Sequence, residues 1–344
     1  MRERILADRH HSALLRSLQI LFEDRLGLEL FVPVGPEWWD EGYWRFGQVY
    51  GDDRLARQFL HLDAAYRPDG DWWTTRDPQY PRHPIRCVTL DQARRAAGSW
   101  RFAVATVQDN QHGFARFADE VGAAYVYQVG NTSQQVDWGL DPLALVAAEA
   151  PIEGRGVRYR QEFDSRATFG YADPSLAVRD RVSSFVNCMP SASTWGDLQL
   201  AMARLDGMDF RVHGIDGPDG NVTPATRVGS MMKRSAWAWH DKPHGDGFGH
   251  VIHGWASVGR PLVGHASNYR GRLAEPLWQD GRTCIDLGSR GIENAIDELR
   301  RLSSDRKRHA EMCRAVRAEF DRYVDFDRDE REIRELLGIQ SGER

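Results

Sequence analysis

The sequence predicts an α/β fold of two doubly wound domains, and three observations support this. The chain has 344 residues, enough for two domains that each bury a core. It opens with a strand, an amphipathic helix and a second strand, the order typical of a parallel sheet. Two blocks of alternating strands and helices are separated by a polar stretch over 151–180. We therefore expect an N-terminal domain over 1–170, a second domain over 171–325 that faces it across a cleft, and a C-terminal helix over 326–344.

The first block begins with a predicted strand over 4–8. The helix after it is indicated by apolar residues at helical spacing, namely Leu14, Leu15, Leu18, Leu21 and Phe22. A second strand is predicted over 28–34. The stretch over 36–84 is long for a connector and rich in tryptophan, so we expect it to be ordered by packing or to act as a sugar platform. Later patterns predict strands over 101–107 and 124–129, a helix over 113–121, and a strand or short helix over 143–148.

The second block alternates more regularly than the first. Apolar runs predict strands over 183–189, 209–214, 236–240, 261–264 and 283–287. Helical spacing predicts helices over 194–205, 223–233, 248–258, 292–302, 306–323 and 328–337. The last three are rich in Arg and Glu, a composition typical of solvated faces with ion pairs between successive turns.

Composition argues against several classes of protein. The formal net charge of -5 provides no global attraction to nucleic acid or to an anionic membrane, although a local basic patch remains open. No apolar run approaches the roughly 20 residues that a membrane helix needs. The 4 cysteines lie far apart in the sequence. We interpret them as reduced thiols of a cytoplasmic protein.

Several well-known catalytic and cofactor motifs are missing from the sequence. Where a dinucleotide fingerprint would stand after the first strand, the chain reads Ala7-Asp8-Arg9-His10-His11-Ser12. The sequence contains no Walker loop, no H-E-x-x-H and no G-x-S-x-G. His250 and His253 share a helix face, but no carboxylate completes a ligand set with them. We expect neither a bound metal nor a cofactor.

The segment from 242 to 265 carries the strongest functional signal. It reads K-P-H-G-D-G-F-G-H-V-I-H-G-W-A-S-V-G-R-P-L-V-G-H, a glycine-rich turn, a helix, a Gly-Arg-Pro turn and a strand. Asp246 stands between two glycines, and Gly249 opens the helix. Glycines let a ligand approach the backbone, and the first turn of a helix offers unpaired N–H groups to an anion. A carboxylate beside such amides suits a sugar phosphate, although Asp246 could also be a simple helix cap.

This segment closely resembles the donor-binding segment of GT-B glycosyltransferases. In the large retaining group of that class the segment reads E-G-F-G, an apolar run, then E-A-x-A-x-G-x-P-V. Asp246 takes the position of the first Glu, and Gly247-Phe248-Gly249 match, as do Ala256, Gly259 and Pro261. The second Glu, which usually meets the nucleotide ribose, falls on Gly254. The resemblance covers 183–302 best.

The resemblance implies a GT-B fold, with two Rossmann-like domains and the nucleotide-sugar donor on the second one. It implies that Asp246 holds sugar hydroxyls and that the amides of Gly247, Phe248 and Gly249 face the sugar or the diphosphate. Lys233 and Lys242 are candidates for neutralising the diphosphate, whose negative charge grows as the glycosidic bond breaks. Retention of configuration and independence of metal are further expectations from the group.

Other candidates come from positions beside predicted strands. His10 and His11 follow the first strand and could act as a general base or contact an acceptor; the alternative is one capping and one packing histidine. Ser193 precedes a predicted helix and could bind phosphate or simply belong to a cap. His213 ends a predicted strand, where a loop would face the donor.

Together these observations predict a glycosyltransferase that moves a hexose or pentose from a nucleotide sugar to an acceptor. The acceptor stays open among a small molecule, a glycan, a protein and a hydroxylated nucleic-acid base, the last not favoured by the net charge. Two alternatives remain. One is a sugar-nucleotide epimerase or phosphorylase on the same fold, and the other is an inactive nucleotide-sugar binding protein.

Overall fold

The computed structural model of the protein describes residues 3–8, 11–44 and 71–340, together with the backbone of 65–67. The chain divides into two compact units. Unit 1 comprises Met1–Phe163 and Phe326–Arg344, and unit 2 comprises Asp164–Asp325. The division after Phe163 falls a few residues before the predicted boundary at 170, and the C-terminal helix belongs to unit 1.

Unit 1 is built on a sheet whose order is β3-β4-β5-β2-β1-β6-β7-β8-β9. Its strands are β1 (Arg4–Ala7), β2 (Glu29–Pro33), β3 (Ala65–Arg67), β4 (Trp72–Arg76), β5 (Pro84–Val88), β6 (Trp100–Ala105), β7 (Ala124–Val129), β8 (Leu143–Val146) and β9 (Gly156–Arg158). From β5 to β9 all neighbours run parallel, whereas β3 and β4 pair antiparallel at one edge. The predicted β-α-β opening is confirmed.

Helices α1 (Ser12–Gln19), α2 (Glu37–Asp40), α3 (Leu90–Arg95) and α4 (Gln111–Val121) belong to unit 1. The first continues into a π-helical turn over Ile20–Arg25. Trp38 and Trp44 are buried in the core, and the Trp38 indole Nε1 donates to the Val88 carbonyl at 3.0 Å. The described part of the tryptophan-rich stretch therefore includes core residues, while 45–64 and 68–70 lie outside the described residues.

Strands β3 and β4 were not predicted because 36–84 was interpreted as irregular, and β5 and α3 were not predicted because no pattern was assigned between 84 and 101. Pro84 is the first residue of β5, a position that requires no ladder N–H. Thr89 then caps α3, with reciprocal bonds between Thr89 and Gln92. Pro84 was interpreted as the end of an irregular stretch, although it is the first residue of a strand.

The C-terminal helix α11 (Phe326–Leu337) packs against β8 and β9 of unit 1. Asp329 is buried and accepts from the Arg160 backbone N–H at 2.8 Å and from its Nη1 at 2.7 Å. Arg25 pairs with Glu162, and its Nη1 donates to Glu330 at 2.7 Å. These charged contacts attach the last helix to the unit with which the chain begins.

Unit 2 has a fully parallel sheet in the order β11-β10-β12-β13-β14. Its strands are β10 (Val178–Ser184), β11 (Asp209–Val212), β12 (Ser235–Trp239), β13 (Leu262–Gly264) and β14 (Cys284–Asp286). Its helices are α5 (Trp195–Arg204), α6 (Ala225–Arg234), α7 (His250–Val258), α8 (Leu287–Arg290), α9 (Ile292–Ser304) and α10 (Arg306–Tyr323). The other predicted strands and helices of this block are present, but the strand predicted over 183–189 is displaced, since β10 covers Val178–Ser184 and 185–189 are not in a strand.

The core of unit 2 lies between the sheet and its helices and includes Trp237, Trp239 and Leu299. All four cysteines are free thiols, with Cys188 exposed and the others buried. None of the helices in the described part of the chain combines the length and apolar character needed to cross a bilayer. The predicted α/β class with two doubly wound sheets is confirmed. Because every strand of unit 2 points the same way, the loops at their carboxyl ends gather at one edge.

Candidate functional site

Polar residues collect at the carboxyl edge of the unit 2 sheet. His213 follows β11, His240 and Asp241 follow β12, His265 follows β13, and Asp286 ends β14. Ligands of open α/β sheets bind at this edge, because strand ends and helix N-termini meet there. The residues of this edge therefore form the candidate site.

The loop that carries Asp246 needs its glycines. Gly245 and Gly249 have φ angles of 60° and 73°, a region that other residues rarely adopt. A Cβ atom on Gly245 would lie 2.3 Å from the Asn268 carbonyl oxygen, and one on Gly249 would lie 2.8 Å from the Asp246 Cβ. The glycines thus let the loop fold tightly in front of α7.

Asp246 is the centre of a polar cluster. Its Oδ2 lies 2.9 Å from His240 Nε2 and accepts from the Tyr269 hydroxyl at 3.3 Å. Its Oδ1 forms an ion pair with Lys242. The Asp246 side chain keeps 13% of its surface exposed, so a ligand can still reach it.

The electrostatics of this cluster favour an ionised carboxylate. Burial by itself raises the pKa of Asp246, but the Lys242 charge and the His240 hydrogen bond outweigh it and bring that pKa well below its usual range. At neutral pH Asp246 is therefore a fixed anion and an acceptor for hydroxyl hydrogens.

The next residues of the loop turn inward. Phe248 is buried, and its ring stacks on His253 at 3.9 Å between centroids. Its side chain is therefore part of the core, and only its backbone remains for a ligand. The His253 ring Nδ1 lies 3.0 Å from the Gly249 carbonyl oxygen. Burial lowers the pKa of His250 to about 3, so this imidazole is neutral at physiological pH.

A second carboxylate–imidazole pair lies at the same edge. Asp241 is fully buried and accepts from the His265 backbone N–H at 3.2 Å, while its Oδ2 lies 3.0 Å from His265 Nδ1. The bond to Asp241 raises the pKa of His265, against the opposing effect of burial. Ligand atoms of Asp197, Asp241 and His265 lie within 4.8 Å of one another. Among the residues that the structure describes, these three side chains form the cluster that could hold a divalent cation.

The structure brings some predicted donor residues together and leaves others apart. Lys242, Gly247, Phe248 and Gly249 lie in the Asp246 loop. Lys233 does not, since its Nζ donates to the Ala167 carbonyl at 2.7 Å. It also precedes the amino end of β12, at the opposite edge of the sheet from Asp246.

Ser193 and His213 lie in loops at the carboxyl edge. Ser193 is exposed, whereas its neighbour Thr194 is buried and donates from Oγ1 to the Asp241 carbonyl at 2.9 Å. The His213 ring stacks on Phe185 at 5.1 Å between centroids. His213 is only 6% exposed, and its Nε2 has no hydrogen-bond partner within the described ranges. A donor role for either residue stays a prediction.

The predicted candidates of unit 1 lie after β1. His10 lies outside the described residues. His11 is the N-cap of α1, where its Nδ1 accepts from the Leu14 N–H at 3.1 Å. This capping bond is the structural alternative considered for it, and a catalytic role for either histidine stays a prediction.

Gly254, which takes the position of the second Glu in the segment that the sequence resembles, lies in the interior of α7. A Cβ there would lie 3.3 Å from Cδ1 of Phe169 and 3.5 Å from Sδ of Met232. Apolar side chains therefore occupy the space into which a glutamate would extend. This departure from the family pattern is built into the packing of the helix.

Sequence reasoning missed Tyr269, Asp241 and His265 as parts of the site. Asp241 and His265 each follow a correctly predicted strand, and that position was the available signal. Tyr269 lies in a short 3₁₀ turn after β13, and no local pattern indicates its contact with Asp246.

Comparisons with known proteins find similarity in structure. No protein-family model matches the sequence, and no curated protein matches it. The crystal structure of Anabaena Alr3699/HepE in complex with UDP-glucose superposes with a TM-score of 0.63 at 13% identity, over 98% of this chain and 100% of that chain.

Two further solved structures are similar over the same extent. One is an alpha-glucosyltransferase in complex with UDP and a 13-mer DNA containing a HMU base, with a TM-score of 0.61 at 8% identity, over 98% of this chain and 100% of that chain. The other is TarM, with a TM-score of 0.62 at 7% identity, over 98% of this chain and 99% of that chain. The GT-B fold expected from the sequence is confirmed by these similarities.

Proposed function

We propose that the protein is a glycosyltransferase that transfers a sugar from a nucleotide-sugar donor to a hydroxyl-bearing acceptor. The observation that carries the proposal is Asp246, an ionised and partly exposed carboxylate held at the carboxyl edge of the unit 2 sheet, directly before α7. The similar structures with UDP or UDP-glucose make a uridine diphosphate sugar the first donor to test.

In this proposal Asp246 accepts hydrogen bonds from the sugar hydroxyls. His240 and Tyr269 keep its carboxylate in a fixed orientation, because both contact Oδ2. Lys242 pairs with Oδ1 in the absence of a ligand and is 39% exposed, so it can move toward a phosphate oxygen when the donor binds. Backbone N–H groups of the loop face the donor.

The chemical step requires stabilisation of the leaving diphosphate, because negative charge accumulates there as the glycosidic bond breaks. We propose that cationic side chains and backbone amides provide it without a divalent cation, and that the anomeric configuration is retained. Donor turnover unchanged by a chelator would support independence of metal. A loss restored by Mg²⁺ or Mn²⁺ would instead assign a cation to Asp197, Asp241 and His265.

The experiment that tests the function starts with thermal unfolding in the presence of nucleoside diphosphates and nucleotide sugars. A ligand at 100 times its dissociation constant stabilises the folded state by about 2.7 kcal/mol, which raises the melting temperature. The donor found in this way is then incubated alone, and release of the nucleoside diphosphate by slow hydrolysis is measured, which requires no acceptor. Asp246→Ala should abolish this release while the protein remains folded. Unchanged release in the variant would contradict the proposal.

A second candidate, a nucleotide-sugar binding protein without transfer activity, is favoured by one observation. The position of the ribose-binding Glu is Gly254, and Phe169 and Met232 fill the space beside it. Donor binding without hydrolysis, and without transfer to a broad set of acceptors, would support this alternative.

A further inference from the structure

Arg272 lies beside the Asp246 loop, although it belongs to a different segment of unit 2. It follows Gly271, whose φ of 71° turns the chain after β13. A Cβ atom on Gly245 would lie 2.9 Å from Nε and 3.0 Å from Cδ of Arg272. The side chain of Arg272 thus runs along the backbone of the residue that precedes Asp246.

Contacts on both sides fix this turn relative to the loop. The Tyr269 hydroxyl donates to Asp246 at 3.3 Å, and the Asn268 carbonyl oxygen fills the space beside Gly245. The Arg272 N–H donates to the Tyr269 carbonyl at 3.0 Å. These contacts hold Arg272 at a defined position beside the Asp246 loop, and not on a loosely attached surface segment.

One nitrogen of the Arg272 guanidinium has no acceptor in the part of the chain that the structure describes. Its Nη1 is buried and makes no hydrogen bond, and no carboxylate in the described ranges pairs with it. Arg181 and Arg290 of unit 2 differ from it, since Arg181 pairs with Asp209 and Arg290 with Asp280. A buried donor without an acceptor costs about 1–3 kcal/mol, so such a group is stabilised by an acceptor that arrives from outside the protein.

The two lysines that the sequence indicated already have partners in the structure. Lys242 is paired with Asp246, and Lys233 donates to a carbonyl at the opposite edge of the sheet. A diphosphate brings at least two negative charges, and an arginine can bind its oxygens with two parallel N–H donors. Arg272 has a buried donor without an acceptor, and it lies beside the loop where such a ligand would bind.

We propose that Arg272 binds the diphosphate of the donor and neutralises it, in place of Lys233 and together with Lys242, which leaves Asp246 when the donor binds. The inference rests on the proposed function for the identity of the ligand as a nucleoside diphosphate. The binding of an anion at Arg272 does not depend on that function. Asp246 then contacts the sugar and Arg272 the diphosphate, so the two residues recognise adjacent parts of one molecule.

The test compares Arg272→Gln with Arg270→Gln in the full-length protein. Arg270 lies two residues away and is exposed, so its removal changes the net charge equally without removing the buried donor. Calorimetric titration with UDP and, separately, with inorganic pyrophosphate gives the dissociation constants at low and high salt. Thermal unfolding without ligand reports whether each variant keeps its fold.

We expect Arg272→Gln to weaken UDP and pyrophosphate binding by about tenfold to a hundredfold. The salt dependence of binding should fall with the lost charge. Arg272→Lys should recover part of the affinity, and Arg270→Gln should change it less than threefold, about the limit set by a distant charge. Equal losses in the two glutamine variants, or UDP affinity unchanged in Arg272→Gln, would overturn the assignment.

Failure of the proposed function gives a different result. If the parent protein binds none of the nucleoside diphosphates, the donor proposal fails. The role of Arg272 in binding an anion is then tested by the pyrophosphate titration alone. If pyrophosphate binding is weakened in Arg272→Gln, the proposal of an anion site at Arg272 is supported. If pyrophosphate binding is the same in this variant as in the parent protein, that proposal is overturned.

Discussion

Asp8 in unit 1 and Asp246 in unit 2 occupy comparable places, since each lies at the carboxyl edge of a parallel sheet. Their environments shift the pKa of the two carboxyl groups in opposite directions. Asp8 is 1% exposed and accepts from the Thr106 and Val107 N–H groups and from Asn110 Nδ2, but no cation in the described ranges pairs with it. Burial raises the pKa of Asp8 to about 6, although these hydrogen bonds oppose the shift. Asp246 has Lys242 and His240 beside it, and its pKa is lowered.

The difference separates a structural carboxylate from one available to a ligand. The donors on Asp8 are part of the backbone and of neighbouring buried side chains, so they cannot be exchanged for a ligand. Asp246 keeps an exposed face, and Lys242 can leave it. A buried carboxylate is therefore informative about function only when its partners are known.

The largest expected effect concerns stability. Asp8→Ala leaves the N–H groups of Thr106 and Val107 and the amide of Asn110 without an acceptor, and we expect a loss of about 4 kcal/mol in unfolding free energy. Asp246→Ala should lose less, about 2 kcal/mol, because Lys242 can be solvated and only His240 and Tyr269 lose a buried acceptor. Urea-induced unfolding of both variants measures the contrast. Similar losses of unfolding free energy in the two variants would contradict the distinction between a structural carboxylate at Asp8 and a ligand-accessible one at Asp246.

The next effect concerns the donor. Asp246→Asn should weaken binding of the nucleotide sugar by about a hundredfold, because charged acceptors of hydroxyl groups are lost, and leave binding of the nucleoside diphosphate nearly unchanged. Asp8→Asn should change neither affinity. Calorimetric titration with UDP-glucose and with UDP gives both values for each variant. Loss of affinity for UDP alone would move Asp246 from the sugar to the diphosphate.

A pH dependence near neutrality should accompany Asp8, whereas that of Asp246 should appear only in acid, because its pKa is lowered and its stabilising contribution is lost as pH falls below its unfolded pKa. Because the pKa of Asp8 is raised from 3.8 to about 6, the folded state binds a proton that the unfolded state releases. The stability contributed by Asp8 is present below its unfolded pKa and is lost as pH rises toward its folded pKa. The gap in unfolding free energy between the parent and Asp8→Asn should therefore shrink by about 2 kcal/mol from about pH 4.5 to about pH 7.5. A constant gap would mean that burial does not raise this pKa.

The smallest effect concerns His265. Its pKa is raised chiefly by the bond to Asp241, so its stabilising contribution is fully present below its unfolded pKa and is lost as pH rises through its folded pKa. We expect His265→Gln to lose about 1 kcal/mol at about pH 6 and less at about pH 9. Denaturant titration at both pH values measures this loss, and His244→Gln, an exposed histidine of the same region, is the matched control. A loss that grows with pH would contradict protonation of His265 in the folded state.

The sequence could predict those parts of the site whose signals are local. The glycines around Asp246 and the helical spacing after Gly249 indicate a turn and a helix without reference to the rest of the chain. The positions of Tyr269 and Arg272 could not be predicted, because they depend on the pairing of β12 with β13 and on the path of the following turn.

Lys233 shows a different limit. It is close to the site in sequence, but in a doubly wound unit each helix returns antiparallel to the strands. The end of α6 therefore lies at the amino edge of the sheet, and a lysine only a few residues before β12 is separated from Asp246 by the length of that strand.

The attachment of α11 to unit 1 has a consequence for synthesis of the chain. Unit 2 is one continuous segment, Asp164–Asp325, inserted between the two parts of unit 1. During translation, the whole of unit 2 is therefore synthesised before the helix that contributes Asp329 and Glu330 to unit 1. Arg160 and Arg25 therefore receive these carboxylate partners only after all of unit 2 has been synthesised, so unit 1 cannot complete its native contacts before that point.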